Sequence, residues 1–155
     1  MSISANDFPS ELRRNGRSAD QIFEPTEDLF RRVKLVGWPA DDAATGLAFP
    51  FPDLSVNRSK YCAKPEWVLL PNWVNDGVIA FRVMDIPSRL EQSGTTYVFE
   101  FRTVHDPEDD NYSHTEVRTY RNGMHDKKIE PPKTIRKKFR QMLAESAHLV
   151  HPARH

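Results

Sequence analysis

The stretch Thr95–His105 reads TTYVFEFRTVH, and it decides the predicted fold. Its aromatic residues occupy alternate positions, namely Tyr97, Phe99 and Phe101. Alternation of apolar and polar residues with a period of two is typical of a β-strand that buries one face. Thr115–Arg121 (TEVRTYR) is the predicted partner strand, and Asn122-Gly123 predicts a tight turn after it. The sequence therefore predicts an antiparallel hairpin whose loop, DPEDDNYS, lies between His105 and His114.

Further elements extend this hairpin along the chain in both directions. Gly77–Met84 (GVIAFRVM) is apolar on both faces and predicts a central strand, while Leu54–Arg58 predicts a short one. Residues 133–150 predict an amphipathic helix, because apolar residues recur there at helical spacing: Ile135, Phe139, Met142, Leu143 and Val150. Short helices are predicted near 26–33 and 64–70, where proline and acidic residues begin each segment. The predicted class is α+β, with an antiparallel three- to five-stranded sheet (a meander) packed against the C-terminal amphipathic helix.

Length and composition favour a single globular domain. The chain has 155 residues, of which 38% are hydrophobic and 28% charged, and this suits a domain with a real core. The polar residues 1–20 are predicted to form a flexible arm, and residues 21–155 a single α+β domain. The formal net charge is zero, so binding to nucleic acid or to an anionic membrane through overall charge is not predicted. No apolar run approaches the ~20 residues that span a bilayer, and no membrane partner is expected.

Cysteine content bears on the compartment. Cys62 is the only cysteine, so an internal disulfide is excluded and the reducing cytoplasm is favoured. A lone cysteine without a flanking motif is more often a packing residue than a nucleophile.

The hairpin loop carries the residue types of several kinds of site. His105 ends one predicted strand and His114 opens the next, and the residues between them include Asp106, Glu108, Asp109 and Asp110. Imidazole and carboxylate groups bind zinc, manganese or iron, but the spacing matches no metal motif and we predict no metal site. Two histidines could also act as acid and base in phosphodiester cleavage. The alternative, which we favour, is a solvated acidic loop with two histidines at the strand ends and a turn set by Asp106-Pro107.

Two basic segments could bind anions. Arg58, with Ser55, Asn57 and Lys60 around it, could hold a phosphate or carboxylate, or could protect the edge of a sheet. Residues 127–140 carry seven basic residues against the single acid Glu130: Lys127, Lys128, Lys133, Arg136, Lys137, Lys138 and Arg140. This face could bind nucleic-acid phosphates, although it has no aromatic residue to stack on bases, or it could be an ordinary charged helix surface.

Three segments together resemble small bacterial proteins without an assigned activity, some of which lie near mobile or defence loci. They are LFRRV at 29–33, LSVNRS at 54–59, and His105-Asp106-Pro107 followed by Asn111 and His114. The resemblance spans about residues 25–150. It implies that Arg31, Arg32, Ser55, Arg58, His105, Asn111 and His114 belong to one surface, and it implies no reaction and no cofactor.

Three functional hypotheses follow. The first is an accessory or binding module that holds a protein partner, or an anionic ligand, without chemistry of its own. The second is a small nuclease-like hydrolase whose catalytic residues are His105, His114 and Arg58. The third is a nucleic-acid binder that uses the basic face of residues 127–140. The predicted ligand-binding residues are Arg31, Arg32, Ser55, Asn57, Lys60, Asn111, Lys133, Arg136, Lys137 and Arg140.

Overall fold

The computed structural model describes residues 9–34 and 49–153. Within them, seven strands form one antiparallel sheet in the order β4-β5-β6-β2-β1-β3-β7. The strands are β1 (Asp28–Val33), β2 (Asp53–Arg58), β3 (Gly77–Arg82), β4 (Arg89–Glu91), β5 (Val98–His105), β6 (His114–Arg121) and β7 (His148–His151). The sheet is open, and β4 and β7 are its edges.

Helical structure is sparse in the described part of the chain. It comprises one α-helix, α1 (Lys133–Ser146), and short 3-10 helices at Ser10–Leu12, Ser59–Tyr61, Pro65–Leu69 and Val83–Asp85. The α+β class, the C-terminal helix and a short helix within 64–70 are thereby confirmed. The prediction of three to five strands is wrong. One reason is that the predicted helix 133–150 stops at Ser146, after which the chain turns into the edge strand β7.

The helix predicted near 26–33 is also wrong, because Asp28–Val33 is strand β1. Its apolar residues fit helical spacing, but a central strand that is buried on both faces produces the same pattern. Leu29 pairs with Phe81 and packs in the core on one face of the sheet. Phe30 pairs with Ala80 and packs on the opposite face.

The hairpin of β5 and β6 lies where the sequence placed it, with Phe101 opposite Thr119 and His105 opposite Thr115. The turn after it contains Gly123 at φ +81°, a backbone conformation that suits glycine. The predicted meander, however, holds only for β4, β5 and β6. Strand β2 pairs with β6 and brings residues 53–57 beside residues 114–118, which are distant in sequence.

Two apolar clusters cover the two faces of the sheet. On one face, Ile135, Phe139 and Leu143 of α1 pack on the inward residues of the strands. On the other face, a smaller cluster joins strands β1 and β3 to the N-terminal segment and the loop after β2; its members are Leu12, Phe30, Cys62, Leu69, Val78 and Ala80. No helix in residues 9–34 and 49–153 is long and apolar enough to cross a membrane.

The N-terminal segment contacts the β5–β6 loop. The backbone N–H of Tyr112 donates to the carbonyl of Leu12 at 2.5 Å, and the N–H of Arg14 donates to the carbonyl of Asp109 at 2.9 Å. The Tyr112 hydroxyl donates to the carbonyl of Ser18 at 2.5 Å. Residues 9–20 of the predicted arm therefore lie against the domain, whereas residues 1–8 are outside the described residues.

Candidate ligand-binding pocket

A concave pocket of about 470 Å³ lies on the sheet face opposite α1. Strands β1, β2 and β6 form its floor, the β5–β6 loop forms one wall, and the segment 67–73 forms the other. Its lining residues are Arg31, Arg32, Ser55, Asn57, Trp67, Val68, Leu70, Pro71, Trp73, Glu108, Asp110, Asn111 and His114. Five predicted ligand-binding residues and one predicted catalytic residue are thus brought together, namely Arg31, Arg32, Ser55, Asn57, Asn111 and His114.

The pleat of the sheet selects which side chains reach the pocket. Successive residues of a strand point to opposite faces, and paired residues of neighbouring strands point to the same face. Asn57 pairs with His114 in β6 and with Phe30 in β1, so these three share the pocket face. Ser55 lies two residues before Asn57 and points the same way. The loop after β5 and the strand β2 therefore meet at this face although about sixty residues separate them in sequence.

Ser55 and His114 form a hydrogen-bonded pair at the floor of the pocket. His114 Nδ1 lies 2.8 Å from the backbone carbonyl of Asp106, and a carbonyl only accepts, so Nδ1 carries the ring proton. Nε2 of the neutral ring is then an acceptor, and the Ser55 hydroxyl donates to it at 3.0 Å. The ring orientation is therefore fixed from both sides.

A second network fixes the amide groups beside this pair. Asn111 Nδ2 donates to Asn57 Oδ1 at 2.7 Å. The buried Ser113 hydroxyl lies 2.6 Å from Asn111 Oδ1 and 3.1 Å from Asn57 Oδ1. Since these contacts occupy the amide oxygens, the Nδ2 group of Asn57 is left to face the pocket that Asn57 lines.

The two arginines have different positions, because β1 pairs Arg31 with Ile79 and Arg32 with Val78 on opposite faces. Arg32 points to the pocket face, where its Nη1 donates to Asp76 Oδ2 at 2.9 Å and its guanidinium lies 4.2 Å from the Trp73 ring centroid. Arg31 Nη1 donates to the carbonyl of Ser55 at 3.0 Å and so holds the strand beneath the pocket. Burial, and then the charge of Arg32, lower the pKa of Arg31 to about 10, which leaves it protonated at neutral pH.

Arg58 and His105 lie elsewhere. Leu29 pairs with Arg58 and Thr115 with His105, which puts both side chains on the sheet face opposite His114. Arg58 is fully buried and His105 is 2% exposed. The structure therefore does not bring the two imidazoles and Arg58 into one cleft, as a two-histidine hydrolase requires.

Arg58 instead organises a buried structural cluster, which we call the Arg58 cluster; it comprises Asp20, Glu27, Arg58, Tyr61 and His105. Arg58 Nε and Nη2 each donate to the Glu27 carboxylate at 2.8 Å. Nη1 and Nη2 also donate to the carbonyls of Asp20 and Ile22, at 2.5 and 2.7 Å. The Tyr61 hydroxyl donates to Asp20 Oδ2 at 2.6 Å, and this bond is the main reason that the pKa of the Asp20 carboxyl lies well below its usual range.

His105 is held neutral within this cluster. The backbone N–H of Asp20 donates to Nδ1 at 2.8 Å, so the ring proton is on Nε2, which donates to the Tyr112 carbonyl at 2.5 Å. Burial is the largest cause that lowers the pKa of His105 below its ordinary value. A buried ring with both nitrogens bonded to backbone has no role as an acid or base.

We expect this histidine to destabilise the fold in mild acid. The unfolded chain binds a proton at His105 near pH 6.5, whereas the folded chain resists it, so the contribution is complete above about pH 6.5 and is lost as pH falls. Melting temperatures at pH 7.5, 6.5, 5.5 and 5.0 should fall more steeply for the wild type than for His105→Gln. Asp20 does not affect this window, because its carboxyl is ionised in both states above about pH 5. Parallel pH profiles of the two proteins would contradict the assignment.

The other predicted ligand-binding residues lie outside the pocket. Lys60 Nζ contacts Asp20 Oδ2 at 3.2 Å, at the margin of the Arg58 cluster. Lys133, Arg136, Lys137 and Arg140 belong to α1, on the far face of the sheet. Within that helix, Arg136 donates to the Pro131 carbonyl at 2.8 Å and Arg140 donates to the Phe49 carbonyl at 3.2 Å.

Cys62 is buried, its Sγ lies 3.4 Å from the carbonyl of Lys64, and burial raises the pKa of its thiol to about 12. It is therefore a packing residue. Among residues 9–34 and 49–153, no group of three or more histidine, cysteine and acidic side chains is arranged to hold a metal ion.

Sequence reasoning missed the second wall of the pocket. Trp67 and Trp73 carry no spacing or motif in the sequence that links them to Arg32. Comparisons with protein-family models, curated proteins and solved structures returned no match for this chain. The assignment of a function therefore depends on the chemistry of the pocket, while a protein partner, nucleic-acid contact through residues 127–140 and a cytoplasmic location stay predictions.

Proposed function

We propose that the chain is a binding module for a small ligand that carries one carboxylate group and an aromatic or apolar body. The observation that carries this proposal is the composition of a single pocket of about 470 Å³. Small-molecule sites are usually concavities of ~300–1,000 Å³ with apolar walls and a few convergent polar groups. Here the apolar wall comes from the segment 67–73, and the polar groups come from β1, β2, β6 and the β5–β6 loop.

Arg32 is the group best placed to bind the carboxylate. Its ion pair with Asp76 uses Nη1, and its guanidinium plane rests on Trp73, so its orientation is set before a ligand arrives. Nη2 and Nε make no hydrogen bond to the residues that the structure describes, and they remain as donors for an anionic oxygen.

The acidic residues of the pocket select a monoanion. Glu108 and Asp110 line the loop wall, so two carboxylates share the cavity with Arg32. A polyphosphate would place several negative charges beside these carboxylates, and repulsion would offset the attraction of Arg32. A ligand with one carboxylate and a neutral or cationic remainder places its negative charge beside Arg32 and no further negative charge beside Glu108 and Asp110.

Benzoate and phenylacetate are suitable probes, and Trp67 and Trp73 are intrinsic reporters. Trp38 is the third tryptophan of the chain, and replacing it leaves only these two reporters. In the Trp38→Phe background, titration with either acid should produce saturable quenching of tryptophan fluorescence. Arg32→Leu should weaken binding by roughly 10- to 100-fold, since a hydrogen bond to a charged group contributes about 1.5–3 kcal/mol. The matched control is Arg89→Leu on edge strand β4, whose side chain is 58% exposed and should leave binding unchanged.

Benzamide separates the role of charge from the role of shape, because it matches benzoate in size and carries no charge. We expect it to bind at least ~10-fold more weakly than benzoate. Equal affinities for the two, or benzoate binding that is insensitive to Arg32→Leu, would contradict the proposal. So would the absence of a saturable signal with both acids.

A further inference from the structure

We infer that Ser55 and His114 form a nucleophile and base pair that hydrolyses an ester seated in the pocket. This inference rests on the proposed binding function and names the reaction for which the same site is built. It starts from the hydrogen bond of 3.0 Å between the Ser55 hydroxyl and His114 Nε2. A serine becomes nucleophilic when an adjacent base accepts its proton and a third group orients that base.

The third group is the backbone carbonyl of Asp106, which accepts from His114 Nδ1 at 2.8 Å. It fixes the tautomer that leaves Nε2 free to take the Ser55 proton. The position of Asp106 is itself secured, because its N–H donates to the His114 carbonyl at 3.0 Å and its carboxylate lies 3.4 Å from Arg118. These contacts fix the Asp106 carbonyl and, through it, the orientation of the His114 ring.

Asn57 supplies the group that stabilises negative charge. It lies two residues after Ser55 on the same face of β2, a separation of roughly 6.6–6.8 Å along the strand. Its Oδ1 is occupied by Asn111, so Nδ2 presents its N–H donors to the pocket. An ester carbonyl between Ser55 and Asn57 would place its oxygen near these donors as an oxyanion develops.

The reaction balances with water as the only co-reactant. The Ser55 oxygen bonds to the acyl carbon while its proton moves to His114 Nε2. The ester C–O bond breaks, and the alcohol leaves with the proton from Nε2. Water then gives a proton to Nε2 and its oxygen attacks the acyl carbon, after which Ser55 leaves as the hydroxyl with that proton and the carboxylic acid is released.

A fluorophosphonate probe and p-nitrophenyl acetate test this pair in the full chain. We expect the probe to label Ser55, as located by peptide mass spectrometry, and to label neither Ser55→Ala nor any other serine. Hydrolysis of p-nitrophenyl acetate should fall to the solution background in Ser55→Ala and at least ~100-fold in His114→Gln. Ser88→Ala and His125→Gln, which change residues outside the pocket, are the matched controls and should keep the wild-type rate.

Ser55→Cys gives a readout that a purely structural serine would not move. Its thiol should react with iodoacetamide at neutral pH at least ~10-fold faster than the thiol of Ser55→Cys/His114→Gln, because His114 would accept the proton. Cys62 serves as the unreactive internal thiol, since it is buried.

Equal alkylation rates, or fluorophosphonate labelling that does not require Ser55, would overturn the inference. Benzoate titration of Ser55→Ala distinguishes this failure from failure of the binding function. If benzoate binds but the wild type hydrolyses no ester, the inferred reaction is overturned and the binding function stands. If the wild type itself does not bind benzoate, the proposed binding function is contradicted.

Discussion

Arg58→Ala is expected to lower the free energy of unfolding by about 3–5 kcal/mol, because it leaves a buried carboxylate without its partner. Glu27 is only 6% exposed and receives both of its arginine bonds from Arg58, at 2.8 Å each. The carbonyls of Asp20 and Ile22 lose their donors in the same variant. Urea denaturation monitored by circular dichroism measures the loss.

Two variants show whether burial and geometry cause this effect. Arg58→Lys keeps a positive charge but cannot form two parallel bonds to Glu27, so we expect an intermediate loss. Arg102→Ala removes an exposed arginine that lies 3.7 Å from Glu100, and it should change stability by less than about 1 kcal/mol. Equal losses for Arg58→Ala and Arg102→Ala would refute the buried role assigned to Arg58.

Phe139→Ala is expected to destabilise the protein by about 3–5 kcal/mol, since a large cavity would form between α1 and the sheet. Phe139 is 1% exposed. Its ring centroid lies 4.5 Å from that of Phe101 on β5 and 5.1 Å from that of Phe51. It therefore joins the helix to both the β5–β6 hairpin and the segment before β2. Thermal and urea unfolding should both report the loss.

Met142 on the same helix provides the comparison. It belongs to the apolar stripe predicted from the sequence, but its side chain is 36% exposed. Met142→Ala should change stability by less than about 1 kcal/mol, because little apolar area is lost. A loss in Met142→Ala as large as that in Phe139→Ala would mean that α1 packs on the sheet through a different face.

The elements best predicted from the sequence are those with local signals. The hairpin of β5 and β6 follows from alternating aromatic residues and from Asn122-Gly123, and α1 follows from apolar residues at helical spacing. The pattern of strand β1 wrongly predicts a helix because Leu29, Phe30 and Val33 are buried on two faces of the sheet. Burial on both faces removes the alternation by which a strand is recognised.

The candidate site was predicted in part. Ser55, Asn57 and His114 were each singled out for their chemistry, and the antiparallel pairing of β2 with β6 brings them together. No local signal specifies that pairing, because the choice of a strand partner depends on the packing of the whole sheet. For the same reason, the wall formed by Trp67 and Trp73 could not be linked to the loop from sequence.

The α+β class, the hairpin, the C-terminal helix and the chemical types of most polar residues in the pocket follow from patterns in the sequence. Which of those residues lie together depends on the pairing of strands that are distant in sequence. His105 and His114 flank one loop, yet His105 pairs with Thr115, so the pleat sends the two rings to opposite faces of the sheet. One ring is buried beside Arg58 and the other meets Ser55 in an open pocket. Strand register causes this separation, because a shift of one residue exchanges the faces and only the assembled sheet fixes the register.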